Sequence, residues 1–341
     1  MGALVAVIVL MAFKPAIEED HLNLDYCWRI LAGFGVIPAL AAVYYRMQIP
    51  ETPRFTMDVE GDVAKGIANA KTYLDGTKPT DDATEHAPAV KKNAKKEYKK
   101  RLTLHFSKWK NLKILIATCM CWFLLDIGYY GTNLNTSEVL SAIGYADKST
   151  PFRHVWTEAL GALIIAIAGN VPGYFFTVFF VDRWGRKPIQ FMGFGMLFIC
   201  FTILSAAYKY LKNEAIPAFV VIYSVAQFFF NFGPNATTFI IPAEVFPTHV
   251  RSTAHGISAA AGKLGAIIAA QGFSRLVDIG GPKAFMNGVL AIFAACCLGG
   301  FLFTFWLPET NGLSLEELSE QDEIPSPPKS TKSVENLPQS M

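Results

Sequence analysis

Two ionisable residues stand inside stretches of sequence that are otherwise apolar enough to lie in a membrane. Asp126 lies in the segment CWFLLDIGYY, and Lys263 lies in the segment HGISAAAGKLGAIIAA. A charged side chain in the hydrocarbon of a bilayer is costly, so an intramembrane acid or base indicates a functional site. One acid and one base together are typical of a pathway for a charged solute that is coupled to proton movement.

The residues around Asp126 repeat at helical spacing. Trp122, Asp126 and Tyr130 are four residues apart, so in a helix their side chains lie along one stripe. A stripe that only packs against other helices has no need of an aspartate, whereas a stripe that faces a polar cavity does. Helix packing remains the alternative interpretation for the tryptophan and the tyrosine. The glycines that flank Lys263 predict the close approach of a neighbouring helix.

Most of the remaining chain consists of segments that are long and apolar enough to cross a bilayer. The 341 residues are 52% hydrophobic and 17% charged, which is typical of a polytopic membrane protein rather than a soluble domain. A spanning helix needs about 20 mostly apolar residues. Seven windows meet that need: 28–47, 112–133, 155–181, 188–210, 216–242, 254–276 and 285–307. An eighth apolar segment, Gly2 to Phe13, is shorter, and we expect it to be the end of a further spanning helix. The chain is therefore predicted to be an all-α membrane protein.

The basic residues indicate on which side of the membrane each loop lies. They crowd between the first two windows and recur in the segment DRWGRK. Loops rich in lysine and arginine stay in the cytosol, so these loops and both termini are predicted to be cytosolic. The lysine run 91–101 has helical spacing without interleaved aromatic residues, which favours a solvated face near anionic lipid over a nucleic-acid interface. We expect segment 56–90 to be partly disordered and the tail from Ser326 to be too polar to pack.

A repeated phrase divides the chain. The sequence PETPRF follows the first window, and PETNGL follows the last. A phrase that closes two groups of helices predicts a fold of two related halves. Counting back from the second copy gives a complete C-terminal six-helix bundle at 112–307. Counting back from the first copy gives the last two helices of an N-terminal bundle at 1–55, with a charged cytosolic loop at 56–111 and a cytosolic tail at 308–341.

Two loop motifs and one long segment resemble a known superfamily. DRWGRK at 182–187 matches the inter-helix signature of the major facilitator superfamily, and PAEVFPTHVR at 242–251 resembles a motif of its sugar-porter-like members. The segment Phe232–Lys263, together with Trp122–Tyr130, is similar to the phosphate:proton symporter family and close to fungal high-affinity phosphate transporters. The resemblance implies the major facilitator fold and proton-coupled transport of inorganic phosphate by alternating access at the plasma membrane.

The resemblance also implies a substrate-binding set in the middle of the membrane, formed by Trp122, Asp126, Tyr130, Asn235 and Lys263. Asp126 is expected to take part in proton coupling as well, and to discriminate against sulfate, which has no proton to offer at neutral pH. Two alternatives stay open. Asp126 and Lys263 form an internal ion pair that joins two helices, or Asn235 only caps the kink made by the proline before it.

The charged residues of the two loop motifs are expected to form a cytosolic gate: Asp182, Arg183, Arg186, Glu244 and Arg251. The glycine of the first motif permits a tight turn between helices. Glu244 and Arg251 are seven residues apart, so two helical turns bring them to one face, and we expect them to pair, although a proline interrupts. The alternative is a group of solvated charges at the membrane edge.

Other classes of function fit the sequence less well than phosphate transport. A soluble enzyme is disfavoured because the sequence has no nucleophile triad, metal cluster or phosphate-binding glycine loop, and no cofactor is implied. The six cysteines show no metal or disulfide spacing. A sugar or an organic anion remains an alternative solute, although a buried acid and base argue against a sugar. A sensor or partner fragment that transports nothing is the second alternative, and nothing in the sequence indicates an oligomeric state.

Overall fold

The computed structural model describes residues 2–49, 52–53, 56–57, 63–75, 94–143, 145, 149–282 and 284–312. Every regular element in these residues is a helix, so the prediction of an all-α chain is confirmed. The α-helices are α1 (Gly2–Glu19), α2 (Leu24–Phe34), α3 (Val36–Gln48), α4 (Val63–Asp75), α5 (Ala94–Ser107), α6 (Trp109–Asn133), α7 (Thr136–Ala142), α8 (Pro151–Ile165), α9 (Val171–Trp184), α10 (Arg186–Ala206), α11 (Tyr208–Glu214), α12 (Ile216–Asn231), α13 (Pro234–Val245), α14 (Thr248–Val277) and α15 (Met286–Thr304). A 3₁₀ turn at His21–Asn23 precedes α2, and a π-helix at Ala166–Asn170 joins α8 to α9.

Six helical segments of the described residues are long and apolar enough to cross a membrane: His21–Met47, Trp109–Asn133, Pro151–Trp184, Arg186–Ala206, Ile216–Val245 and Met286–Thr304. Each overlaps one of the predicted windows. The remaining window, 254–276, forms the 30-residue helix α14 but is not among the six. Its mean hydropathy is reduced by His255, Lys263 and Gln271 and by its glycines.

The main hydrophobic core lies among the helices from α6 to α15. α6 packs along α14 and α15, and α10 packs along α15. The close approach predicted from the glycines beside Lys263 is present between α6 and α14. A Cβ atom at Gly265 would lie 2.3 Å from the carbonyl oxygen of Phe123, so only glycine allows the two backbones this contact.

α12 and α13 form one interrupted helix across the bundle. The interruption falls at residues 232–233, and Pro234 is the first residue of α13, where its missing N–H has no helical partner to lose. A buried polar chain fixes this region. Thr237 Oγ1 donates to Gln190 Oε1 at 2.8 Å, and Gln190 Nε2 donates to Thr304 Oγ1 at 2.9 Å. These bonds join α13 to α10 and α15.

The first three helices are packed less closely. α1 contains Pro15 and continues beyond the predicted end of its apolar run. It packs against α8 through a small cluster separate from the main core, in which Leu10, Ile17 and Phe152 are buried. Only 6% of the most apolar window of His21–Met47 is buried, so α2 and α3 expose nearly all of their side chains.

Two helices lie in the predicted central loop. α4 occupies part of segment 56–90, so residues 63–75 are helical where we expected partial disorder. α5 covers most of the lysine run, as its helical spacing predicted. Residues 58–62 and 76–90 of that predicted loop, the first copy of the PET phrase apart from residues 52 and 53, and the tail from Ser326 lie outside the described residues.

Candidate functional site

The two intramembrane charges lie next to each other, one on α6 and one on α14. Lys263 Nζ is 3.6 Å from Asp126 Oδ2, and it donates a hydrogen bond of 2.7 Å to Tyr130 Oη. The same ammonium lies 4.6 Å from the centroid of the Tyr130 ring. The Asp126 side chain is only 3% exposed, whereas the Lys263 side chain is 60% exposed. The carboxylate therefore lies inside the bundle, and the ammonium lies at its surface.

One oxygen of this pair lacks a hydrogen bond. Asp126 Oδ2 is buried and has no hydrogen-bond partner among the described residues, because 3.6 Å to the lysine is beyond hydrogen-bond range. A buried acceptor without a donor is costly. The ion pair considered as an alternative is thus present, but it leaves one buried acceptor oxygen without a hydrogen-bond donor among the described residues.

Trp122 lies one turn of α6 before Asp126. A Cβ atom on Gly262 would be 2.7 Å from its indole Nε1, so the ring lies against α14 next to the lysine. Its ring centroid is 5.6 Å from that of His255 and 6.1 Å from that of Phe239. Trp122 therefore belongs to an aromatic cluster from α6, α13 and α14 that borders the charged pair.

Asn235 lies in the first turn of α13, just after the interruption. Its Nδ2 donates to Tyr174 Oη at 2.6 Å and to Asn231 Oδ1 at 2.8 Å. The hydroxyl of Tyr174 lies near that of Tyr129, whose ring contacts the ring of Tyr130. Within the described residues, Asn235 therefore reaches the charged pair through tyrosines rather than by direct contact.

A row of polar side chains continues from Asn235 along α12. Asn231 Nδ2 donates to Asn170 Oδ1 at 2.9 Å. One turn earlier, Gln227 accepts from Asn133 Nδ2 at 3.1 Å and donates to Thr132 Oγ1 at 3.2 Å. These bonds connect the interrupted helix to the π-helix and to the end of α6. They satisfy buried amides that would otherwise be costly.

A second charged cluster lies where α9 meets α10. Arg186 forms two parallel hydrogen bonds to Glu244, from Nε at 3.0 Å and from Nη2 at 2.9 Å. Its Nη1 donates to Asp182 Oδ1 at 2.9 Å and to Asn311 Oδ1 at 2.8 Å. Bidentate arginine–carboxylate geometry is the strong form of this contact. The cluster joins α9, α10, α13 and the segment after α15.

Glu309, which lies in the second PET phrase, also belongs to this cluster. It accepts hydrogen bonds of 3.0 Å from the backbone N–H groups of Arg186 and Lys187, so it caps the first turn of α10. Gly185 precedes this turn with φ of 92°, a left-handed conformation that favours glycine. A Cβ atom there would also lie 2.8 Å from the Glu309 carboxylate.

One ion pair predicted for the cytosolic gate is not formed in the structure. Glu244 pairs with Arg186 and not with Arg251, whose Nε instead donates to the carbonyl of Phe246 at 2.8 Å. The break before α14 explains the difference, because Phe246 and Pro247 are not helical and the seven-residue spacing no longer measures two turns. Arg183 is exposed.

The α6–α14 site combines one positive charge with hydrogen-bond donors and an acceptor. The lysine supplies a positive charge, the tyrosine hydroxyl and the indole N–H are donors, and the unpartnered carboxylate oxygen is an acceptor. Among the described residues, no group of three or more His, Cys, Asp or Glu side chains is arranged to hold a metal ion.

The fold and the site together define a polytopic α-helical membrane protein with an acid–base pair between two of its helices. The chain belongs to the family described as sugar (and other) transporter, which matches residues 1–321. It is an integral membrane protein.

Curated relatives are similar over most of this chain. It is 44% identical over 346 residues to a repressible high-affinity phosphate permease of Neurospora crassa, covering 93% of this chain and 59% of the relative. It is 39% identical over 354 residues to an inorganic phosphate transporter of Saccharomyces cerevisiae, covering 95% and 60%. The chain therefore spans about three fifths of the length of these relatives.

Solved structures share the fold. The proton:xylose symporter XylE, bound to 6-bromo-6-deoxy-D-glucose, has a TM-score of 0.66 at 21% identity, covering 94% of this chain and 67% of that one. The inward-open xylose transporter XylE from E. coli has a TM-score of 0.56 at 18% identity, covering 92% and 62%. The predicted major facilitator superfamily fold is thus confirmed.

Several residues of these clusters were not singled out from the sequence. Tyr174 stands in the apolar run VPGYFF, where a tyrosine resembles a packing residue. Asn170 and Asn231 carry a weak signal, since an amide inside an apolar window is unusual. Glu309 belongs to the repeated phrase, which we used to divide the chain but not to assign a contact.

Proposed function

We propose that this chain forms part of a proton-coupled transporter of inorganic phosphate that works by alternating access. In this proposal, residues 112–307 form a six-helix bundle, and the helices in residues 1–55 belong to a second bundle that moves against it. The names of the curated relatives support phosphate as the solute. The orientation follows from the basic loops, with both termini in the cytosol and the protein in the plasma membrane.

The observation that carries the proposal is the unpartnered, buried Asp126 Oδ2 beside an exposed ammonium. Phosphate carries about one to two negative charges near neutral pH, and it keeps at least one hydroxyl group there. Lys263 balances that charge, while Tyr130 and Trp122 donate hydrogen bonds to its oxygens. Asp126 accepts a hydrogen bond from the phosphate hydroxyl. Sulfate offers no such hydrogen and is repelled by the carboxylate.

The same carboxylate supports a role in proton coupling. When Asp126 is ionised, it repels every phosphate oxygen that does not carry a hydrogen, and when it is protonated it becomes a donor. Protonation of this one group therefore changes how strongly the site holds the anion. Asn235 belongs to the site through Tyr174, which extends the row of donors across the bundle.

The cluster around Arg186 is proposed as the cytosolic gate. It joins α9, α10, α13 and the segment after α15 through hydrogen bonds among their side chains. The exposed contact of Arg186 with Asp182 exchanges with water at modest cost. In this proposal Asp182, Arg183, Arg186, Glu244 and Glu309 supply the charges of the gate together with Arg251, whose Nε is bound to the backbone of Phe246.

The direct test is binding of radiolabelled phosphate to the purified chain in lipid nanodiscs. Lys263→Met should lower the affinity by about tenfold to a hundredfold, since hydrogen bonds to charged groups are worth about 1.5–3 kcal/mol. Asp126→Asn should keep most of the phosphate affinity while allowing sulfate to compete. Lys209→Met, which removes an exposed lysine from α11, is the matched control.

Uptake into cells or proteoliposomes under an imposed proton gradient tests the transport step. Phosphate and arsenate should compete, whereas sulfate and glucose should not. Collapse of the proton gradient should abolish uptake. Phosphate binding that is the same in wild type, Lys263→Met and Asp126→Asn would remove the site assignment. Competition by glucose alone would instead indicate a sugar as the solute.

A further inference from the structure

One face of α5 is docked on the bundle. Leu102 and Phe106 pack against the main core, four residues apart as a helical face requires. The hydroxyl of Tyr98 is hydrogen-bonded to the hydroxyl of Thr253 on α14. Asn111 Nδ2, in the first turn of α6, donates to the backbone carbonyl of His105 at 3.1 Å. α5 is therefore attached to both helices that carry the charged pair.

The opposite face of α5 is basic and carries a groove. The groove has a volume of about 430 Å³ and is lined by Lys99, Lys100, Thr103, Leu104 and Ser107. Among the described residues, neither of these two lysines has an ion-pair partner. Residues 94–113 contain eight lysines and arginines and a single acidic residue. Repulsion among these charges is relieved if the groove holds an anion.

The groove lies beside the point where the chain enters the membrane. Only Lys108, with extended backbone at φ −77° and ψ 121°, separates α5 from α6, and α6 is apolar enough to span from Trp109 onwards. Trp109 is 62% exposed and Leu104 is 50% exposed. Tryptophan is enriched at the membrane–water interface. Exposed apolar side chains thus lie beside lysines that have no ion-pair partner among the described residues, where the chain is expected to enter the membrane.

We propose that this groove binds an anionic phospholipid. The headgroup phosphate lies between Lys99 and Lys100, and the acyl chains run past Trp109. The hydroxyl groups of Thr103 and Ser107 donate to backbone carbonyls of α5, so their oxygens face the headgroup as acceptors only. Lysine clusters next to a spanning helix are attracted to anionic lipid. A bound lipid would hold α5 at the membrane surface, and through it the adjoining ends of α6 and α14. The inference is independent of which solute the protein transports.

The apolar neighbours decide between possible occupants. An acidic peptide or free phosphate would pair with the lysines but would leave Leu104 and Trp109 uncovered. A phospholipid satisfies both kinds of side chain at once. Lipid already surrounds a membrane-spanning helix, whereas a soluble partner loses translational and rotational entropy when it binds.

The experiment uses the purified chain in phosphatidylcholine nanodiscs that contain 20 mol% brominated phosphatidylserine. Bromine quenches tryptophan on contact, and the difference between wild type and Trp109→Phe isolates the signal of Trp109. We expect quenching by brominated phosphatidylserine to exceed that by brominated phosphatidylcholine at equal content. The double variant Lys99→Gln/Lys100→Gln should lower this preference by about tenfold, because each lysine near a charged surface contributes a factor of up to about five.

Two control variants keep the test specific. Lys99→Arg/Lys100→Arg preserves the charge and should preserve the preference, and Lys209→Gln/Lys212→Gln removes two charges from α11 without effect. Both target lysines are exposed, so the thermal melting of the variants should match that of wild type. An equal preference in the glutamine variant would overturn the proposal. Displacement of the quenching lipid by 10 mM inorganic phosphate would overturn it in favour of a site for free phosphate.

Discussion

The segment α1–α3 and the bundle α6–α15 have comparably apolar spans, yet they are packed very differently. In the span Ile216–Val245, 50% of the most apolar window is buried, against 6% in His21–Met47. The bundle joins its helices through glycines and through buried amides and hydroxyls such as Gln190 and Asn231. In the part of the chain that the structure describes, no side-chain hydrogen bond links α3 to another helix. In the bundle, close glycine contacts and buried polar side chains thus fix which helices lie next to each other.

The largest expected effect comes from replacing a glycine at a close helix contact in the bundle. Gly265→Leu should destabilise the bundle by about 3 kcal/mol or more, because the new side chain would clash with the backbone of α6. A backbone, unlike a side chain, cannot avoid the clash by changing rotamer. Thermal unfolding in detergent measures the change. Gly33→Leu in α2 is the matched control, since a Cβ atom there meets nothing within 4 Å, and its melting temperature should stay at that of wild type. Equal losses in the two variants would contradict the comparison.

A smaller effect is expected at the charged cluster. Glu244→Gln removes the bidentate partner of Arg186, whose side chain is only 15% exposed, and should cost about 1–2 kcal/mol. Asp182→Asn removes a 78% exposed partner of the same arginine and should cost less than about 0.5 kcal/mol. Chemical denaturation of both variants in the same detergent checks the order. A larger loss in the aspartate variant would show that the exposed contact, and not the bidentate one, holds the cluster.

The smallest effect is expected where α1 meets α8. Leu10→Ala removes buried contacts, but lipid solvates leucine as well as protein does, so we expect a loss of about 1 kcal/mol or less, from dispersion alone. Hydrogen exchange should increase in α1 and remain unchanged in α10. Met11→Ala, at a 62% exposed neighbour, should change neither. Faster exchange throughout the bundle would mean that α1 supports the main core.

The sequence predicted the spans and the stripe of Trp122, Asp126 and Tyr130, because helical period and apolar length are local properties. It also indicated Asp126 and Lys263 as an ion pair, since few other groups can balance a charge inside the membrane. It did not predict the pairing of Arg186 with Glu244, which joins residues 58 apart through the packing of α10 on α13. Tyr174 was missed for the same reason, because its partner Asn235 lies 61 residues away.

The π-helix at Ala166–Asn170 has a consequence for how this bundle can change. A π turn accommodates one residue more than a regular turn, and each residue rotates an α-helix by about 100°. Because the extra residue is taken up within one wide turn, the helix that follows keeps its face, and Tyr174 contacts Asn235. Deletion of one residue from the π-helix would restore a regular α turn and should leave this contact in place, whereas deletion of one residue between Val171 and Gly173 would rotate Tyr174 by about 100° and break the contact.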